Sequence, residues 1–270
     1  MKNYKKLQNG SDIRGIAITG VPGELPNLTA DEAADIARGF AVWLCDKTGK
    51  APQELKIAVG RDPRVSGKRL MQGLMNGFGP YGVKVYDCGL ASTPAMFMTT
   101  VFPEFACDAG IMITASHLPY NRNGFKFFTR DGGLNKGDIS QILAYAEDEN
   151  SGVDNLGEPG NTDGKVKDFG KPVYPMEEAD IMTRYCQHLK TIIEEGVGDG
   201  ERPLEGMKIC LLYTSCRSSC GMLKILQQGN KLIAYTGFVP SSGVEKYRGA
   251  SVLHFKLGNL QARFLEGVPI

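Results

Sequence analysis

The sequence predicts an α/β protein: a three-layer α/β/α domain over residues 1–150, then an incomplete second α/β domain. Three observations predict it. Short apolar runs alternate with amphipathic stretches in the order strand, helix, strand, helix, strand, the signature of a sheet covered by helices on both faces. Polar, glycine-containing segments follow the apolar runs, where α/β sheets place ligands at strand ends. With 42% hydrophobic and 23% charged residues among 270, the chain can bury a sizeable core and suits two domains.

Each element has a local reason. Residues 1–28 hold the polar segment Asn9-Gly10-Ser11-Asp12-Ile13-Arg14-Gly15 and a Pro/Gly-rich loop up to Asn27. Thr29, with Glu32 three residues on, forms a capping box. Ala33, Ile36, Ala37, Phe40, Ala41 and Leu44 then recur at helical spacing, and the helix ends near Gly49. Leu55–Val59 reads as a strand running into Gly60-Arg61-Asp62-Pro63-Arg64-Val65-Ser66-Gly67. Ser66 is placed to cap a helix bearing Leu70, Leu74, Met75 and Phe78.

Val83–Tyr86 is the next strand, and a helix starts at about Ala95. Gly110–Ile113 reads as a buried strand. Phe125–Phe128 adds another, compatible with antiparallel pairing, before a helix over Lys136–Glu147. Residues 150–172, rich in Gly, Asp and Asn, are a connector. Met176–Glu195 forms a second helical region, and Leu204–Ile209 looks like the entry to a further strand.

Composition narrows the function classes. A formal charge of +1, from 31 basic and 30 acidic residues, implies no strong field and speaks against a nucleic-acid partner. The apolar runs are far too short to span a membrane. The opening Met-Lys-Asn-Tyr-Lys-Lys lacks the apolar core of a secretory signal, so a cytoplasmic location is expected. Of seven cysteines, Cys45, Cys88 and Cys107 lie beside apolar positions and are expected to be buried thiols. Cys210, Cys216 and Cys220 contain no Cys-x-x-Cys pair and have no histidine cluster nearby, which argues against zinc.

The segment Thr114-Ala115-Ser116-His117-Leu118-Pro119-Tyr120-Asn121-Arg122-Asn123-Gly124-Phe125-Lys126 concentrates the chemistry. Within one loop after an apolar run it offers a hydroxyl, an imidazole, an ammonium and a glycine. Two readings stay open on the residues alone. One is phosphoryl chemistry, with serine as the carrier and lysine and histidine as charge or proton partners. The other is a polar surface turn whose Pro119 and Gly124 only shape the backbone.

Four stretches together resemble the motifs of the alpha-D-phosphohexomutase family, in its phosphomannomutase/phosphoglucomutase group: Gly10–Gly15, Gly60–Gly67, Gly89–Pro94 and Thr114–Lys126. The resemblance covers about residues 7–209. It implies a family domain 1 with a phosphoserine loop over 1–150, and a connector with the start of domain 2 over 151–209. Residues 210–270 are then a poorly structured, non-family tail. Within it, Cys210-Leu211-Leu212-Tyr213-Thr214-Ser215 resembles one reading frame of a common transposon-type sequencing adaptor. The chain after 209 is therefore expected to be truncated, chimeric or frame-shifted.

By resemblance, the activity implied is interconversion of hexose 1-phosphates and 6-phosphates through a phosphoserine and a hexose 1,6-bisphosphate. Ser116 is then the phosphoryl carrier and Arg14 binds phosphoryl oxygens. Lys126 stabilises charge or takes part in proton transfer, and His117 is either catalytic or orients the loop. Arg61, Asp62, Arg64, Asn123 and Gly124 support the phosphate loop. For Arg61, Asp62 and Arg64 the other reading is an ion pair that holds neighbouring loops.

Mg2+ is the implied metal, with Ser116 a ligand through its phosphate. The family's Asp-x-Asp-x-Asp-Arg metal loop is nowhere in the sequence, so this chain alone is expected to be inactive. Mannose and glucose phosphates come ahead of glucosamine phosphate as expected substrates. Phosphoglucosamine mutase and a non-catalytic phosphosugar-binding module are the alternatives. No oligomeric state is implied.

Overall fold

A computed structural model describes residues 2–148 and 176–197, together with the backbone of five short strands between Lys208 and Ala262. The chain divides into two compact units. The first comprises Met1–Ser116 and Tyr120–Leu189, the second His117–Pro119 and Lys190–Ile270.

The first unit is built on one mixed sheet. Its strands are β1 (Gln8–Asn9), β2 (Asp12–Ile16), β3 (Lys56–Arg61), β4 (Lys84–Leu90), β5 (Ala109–Ile113), β6 (Arg122–Thr129), β7 (Gly132–Gly133) and β8 (Glu177–Glu178). They lie in the order β1-β2-β6-β5-β3-β4-β8, with β7 paired to β6. β3, β4, β5 and β8 run parallel, whereas β6 is antiparallel to both β2 and β5. The apolar residues of β6 therefore do form the expected extra strand, wedged between β2 and β5.

Helices cover both faces, giving three layers. α1 (Ala30–Thr48), α2 (Gly67–Phe78) and α4 (Lys136–Glu147) enclose the larger core, where Phe40 meets Phe127 at 4.6 Å between ring centroids. A Cβ on Gly77 of α2 would sit 2.2 Å from the Ala34 carbonyl oxygen, so glycine there is what lets α1 and α2 pack so closely. On the opposite face, α3 (Thr93–Met98) and the first part of α5 (Ile181–Val197) join Ala58, Cys88, Cys107 and Met112 in a second core. The sequence expectation of an α/β/α domain is met.

Local signals hold unevenly. The Thr29 capping box is present, and α1 ends on Gly49 in the left-handed conformation. Ser66 precedes α2 but makes no side-chain cap; its hydroxyl instead accepts a hydrogen bond from the buried Asn123 Nδ2 at 2.8 Å. α5 starts at Ile181, which is fully buried within the first unit.

Beyond His117–Pro119 and the end of α5, the second unit is described by its strands alone. β9 (Lys208–Leu212), β10 (Met222–Gln228) and β11 (Lys231–Gly237) form a three-stranded sheet in the order β10-β11-β9. β12 (Phe255–Leu257) and β13 (Leu260–Ala262) pair antiparallel. Most of the tail expected to be foreign to the family, including Cys216 and Cys220, lies outside the described residues.

Burial of the thiols has a measurable consequence. It pushes Cys88 and Cys107 from 9.0 up to about 12, and Cys45 up to about 11. An unfolded chain ionises these thiols from about pH 9, while the folded chain keeps their protons, so their contribution to stability is lost as pH rises through that window. The thermal midpoint is expected to fall between pH 9 and 11. Iodoacetamide at pH 8 should label Cys186, which is exposed, before the three buried thiols. A midpoint unchanged across that window would contradict the assignment.

Candidate active site

Strand alternation decides which side chains meet. Ile13 of β2 and Phe125 and Phe127 of β6 enter the larger core, so Asp12, Arg14, Gly124 and Lys126 point to the other side of the sheet. Antiparallel pairing sets Arg14 opposite Gly124. β5 ends beside them, and Thr114 continues the pairing by donating its N–H to the Gly124 carbonyl at 3.0 Å. Ser116 therefore emerges from the middle of the sheet, at the carboxyl end of β5.

Ser116 is exposed and has φ +54, in the left-handed region. For a residue with a Cβ, such a conformation costs about 1–3 kcal/mol and persists only when its surroundings hold it. Three contacts do so. The Ser116 N–H donates to Thr114 Oγ1 at 2.9 Å, Arg64 Nη2 donates to the Ser116 carbonyl at 2.9 Å, and Arg14 Nη2 donates to Ser116 Oγ at 3.4 Å.

A brace stands behind the loop. Asp62 Oδ2 accepts from Thr114 Oγ1 at 2.6 Å and from Arg64 Nε at 3.3 Å, while Arg64 Nη1 donates to the Arg122 carbonyl at 3.0 Å. The ion pair in this loop is thus Asp62 with Arg64. Arg61 is not its partner; its side chain makes no hydrogen bond or ion pair among the described residues, and its stem lies against Gly67.

The second cluster is cationic. Arg14 Nη1 donates to the Thr114 carbonyl at 3.0 Å, and Nη2 also reaches Asp12 Oδ2 at 2.8 Å. The same Asp12 oxygen accepts from Lys126 Nζ at 2.5 Å. Arg14 and Lys126 are thereby gathered around one carboxylate, with side-chain exposures of 11% and 24%.

Of the residues singled out from sequence, Ser116, Arg14, Arg64 and Asp62 meet directly, and Lys126 joins them through Asp12. Asn123 is fully buried and structural: it holds Ser66 Oγ and, through Oδ1, the Gly124 N–H at 2.9 Å. His117 is exposed, and its imidazole has no hydrogen bond among the described residues. Gly124 acts by its bareness, since a Cβ there would lie 2.1 Å from the Ile13 carbonyl oxygen and 2.7 Å from Arg14 Cδ.

Sequence reasoning missed three residues. Asp12 could have been found, because it stands two positions from Arg14 on a strand and so shares its face. Thr114 directly follows the strand, within reach of the serine amide. Glu24 carries no local signal: from within the Pro/Gly-rich loop it accepts from Asn121 Nδ2 at 2.7 Å and from Arg122 Nη2 at 2.6 Å.

The donor set does not fit a metal centre by itself. Among the described residues no three His, Cys, Asp or Glu side chains converge. Asp12 and Asp62 are both engaged with cationic side chains.

The fold and loop together define a three-layer α/β domain with an exposed serine beyond the carboxyl end of β5 and two cationic side chains, Arg14 and Lys126. The sequence profile of the phosphoglucomutase/phosphomannomutase alpha/beta/alpha domain I matches residues 5–152. The chain belongs to this family, in the region of its domain I. It is 31% identical over 204 residues to a phosphoglucosamine mutase of Corynebacterium jeikeium, covering 76% of this chain and 40% of that protein. It is 30% identical over 212 residues to a phosphoglucosamine mutase of Anaeromyxobacter dehalogenans, covering 76% and 41%.

The chain thus spans about two fifths of the length of these curated relatives. A solved structure described as a putative phosphomannomutase from Thermus thermophilus superposes with a TM-score of 0.53 at 18% identity, covering 76% of this chain and 39% of that one, and shares the fold. Among the described residues, no helix is long and apolar enough to cross a membrane.

Proposed function

We propose that this chain is the phosphoryl-carrying part of a cytoplasmic phosphohexomutase, with Ser116 as the carrier. The observation behind this reading is the contact of Arg14 with Ser116 Oγ, in a domain of this family, with Lys126 held beside Arg14. In the forward step a phosphoryl group leaves Ser116 Oγ for the free hydroxyl of a hexose phosphate, giving a hexose 1,6-bisphosphate. After reorientation, the bisphosphate returns its other phosphoryl group to Ser116.

This chain's residues bind and orient. Arg14 presents forked donors to the phosphoryl oxygens, Lys126 supplies a second positive charge, and the Asp62–Arg64–Thr114 brace keeps the serine projected toward substrate. Mg2+, when bound, would neutralise charge on the transferring oxygens. The described residues offer it only the phosphorylated Ser116 oxygen, so no step here is assigned to it.

Glucosamine phosphate now stands first among the substrates, ahead of the mannose and glucose phosphates that the motifs alone suggested, because the curated relatives are phosphoglucosamine mutases. The test is an assay of the full-length gene product with Mg2+ and a catalytic amount of bisphosphate. It should convert glucosamine 1-phosphate to its 6-phosphate faster than it converts glucose or mannose 1-phosphate. Absence of turnover with all three would sink the proposal.

A further inference from the structure

We propose that Asp12 is a counter-ion that restrains Arg14 and Lys126 and thereby limits how tightly they hold a phosphoryl group on Ser116. This rests on Ser116 being the carrier. A single oxygen, Asp12 Oδ2, accepts from Arg14 Nη2 at 2.8 Å and from Lys126 Nζ at 2.5 Å. Arg14 Nη2 also reaches Ser116 Oγ at 3.4 Å, so one guanidinium nitrogen is shared between the carboxylate and the serine oxygen.

The charges around Ser116 can be counted by element. β2 contributes Asp12 and Arg14, β6 contributes Lys126, and the segment after β3 contributes Asp62 and Arg64. His117 follows the serine in the chain. Asp62 is already matched by Arg64, so the local balance is set by two cations against Asp12. A phosphoserine carries nearly two negative charges and competes with Asp12 for both cations.

Two unopposed cations would bind the ground-state phosphate strongly, and binding of the ground state does not speed transfer. Asp12 makes the pair neutral but for one charge. It also fixes where they stand, so that they remain in place when the phosphoryl group is gone. Asp12 is therefore a positioning residue, acting on the phosphate through Arg14 and Lys126.

The test uses this 270-residue chain with phosphoserine encoded genetically at position 116, and reads the phosphate by 31P NMR titration. The second ionisation of a free phosphoserine lies near about 6. In the unaltered chain it should fall below that of a phosphoserine peptide, and in Asp12→Asn it should fall by roughly a further 0.5–1 unit. Asp12→Glu should restore the unaltered value in large part. A merely structural role would not move the titration in that direction.

If the phosphate titrates as in the free peptide in every chain, Arg14 and Lys126 do not meet it, and the carrier reading itself fails. If it is lowered in the unaltered chain but unchanged or raised in Asp12→Asn, the carrier reading stands and the counter-ion role of Asp12 is overturned. Should Asp12→Asn not fold, 15N spectra of the unaltered chain decide. Phosphorylation should shift the Arg14 and Lys126 side-chain signals together; if neither moves, the proposal is wrong.

Discussion

Ser116→Ala is expected to abolish turnover in the full-length gene product, by at least about a thousandfold, since no other oxygen stands in its place to store the phosphoryl group between half-reactions. The fold should survive. Of the three contacts that hold the loop, those of the Ser116 N–H and carbonyl with Thr114 and Arg64 remain, and only the 3.4 Å contact of Arg14 with the hydroxyl is lost. At an exposed position the stability change should stay within about 0.5 kcal/mol. Intact-mass measurement after exposure to hexose bisphosphate reads the outcome: a single added phosphate on the unaltered protein and none on the variant. A variant that still gains the phosphate would mean that another residue is the carrier.

Gly124→Ala should damage stability and site together. The added methyl has no room: the Ile13 carbonyl lies 2.1 Å away and the Arg14 stem 2.7 Å away, so either β2 separates from β6 or the arginine is displaced. Overpacking of this kind costs on the order of 3 kcal/mol. In a domain of this size that corresponds to a fall in melting temperature of roughly 6–12 °C. Displacing Arg14 by an ångström should lower the rate of phosphoryl transfer on the order of a hundredfold. Calorimetry and the mutase assay check the two effects separately, and a variant as stable and active as the parent would contradict both.

The fold was legible where its cause is local. The Thr29 capping box, the bounds of the Lys136–Glu147 helix and the strand before Ser116 all follow from patterns within a few residues. The site was legible as a set of motifs but not as a set of contacts. Ser66 looked like a cap because of its place before an apolar repeat; it is diverted by Asn123, which lies 57 residues away. Asp62 looked suited to its neighbour Arg61, yet the turn aims the carboxylate at Arg64 and at Thr114, 52 residues on.

Gly124 was misread for a related reason: it suggested a polar turn but is a strand residue of β6. What Gly124 accommodates is the Arg14 side chain from another strand, which a turn rule does not consider. The role of Asp12 was hidden in the same way: its partner Lys126 is 114 residues distant and becomes adjacent only when β2 pairs with β6.

That pairing also fixes when the site can exist. Arg14 and Ser116 are separated by 102 residues, and β2 has no place in the sheet until β6 is available to receive it. On a ribosome extending the chain at about 5–20 residues per second, the N-terminal strand waits roughly 6–20 s for its partner. Closing so long a loop is also slow in refolding, because the entropy of closure is lost before any contact is gained. The serine loop is therefore completed late in assembly, and the contact of Arg14 with Ser116 cannot form before the first unit has closed.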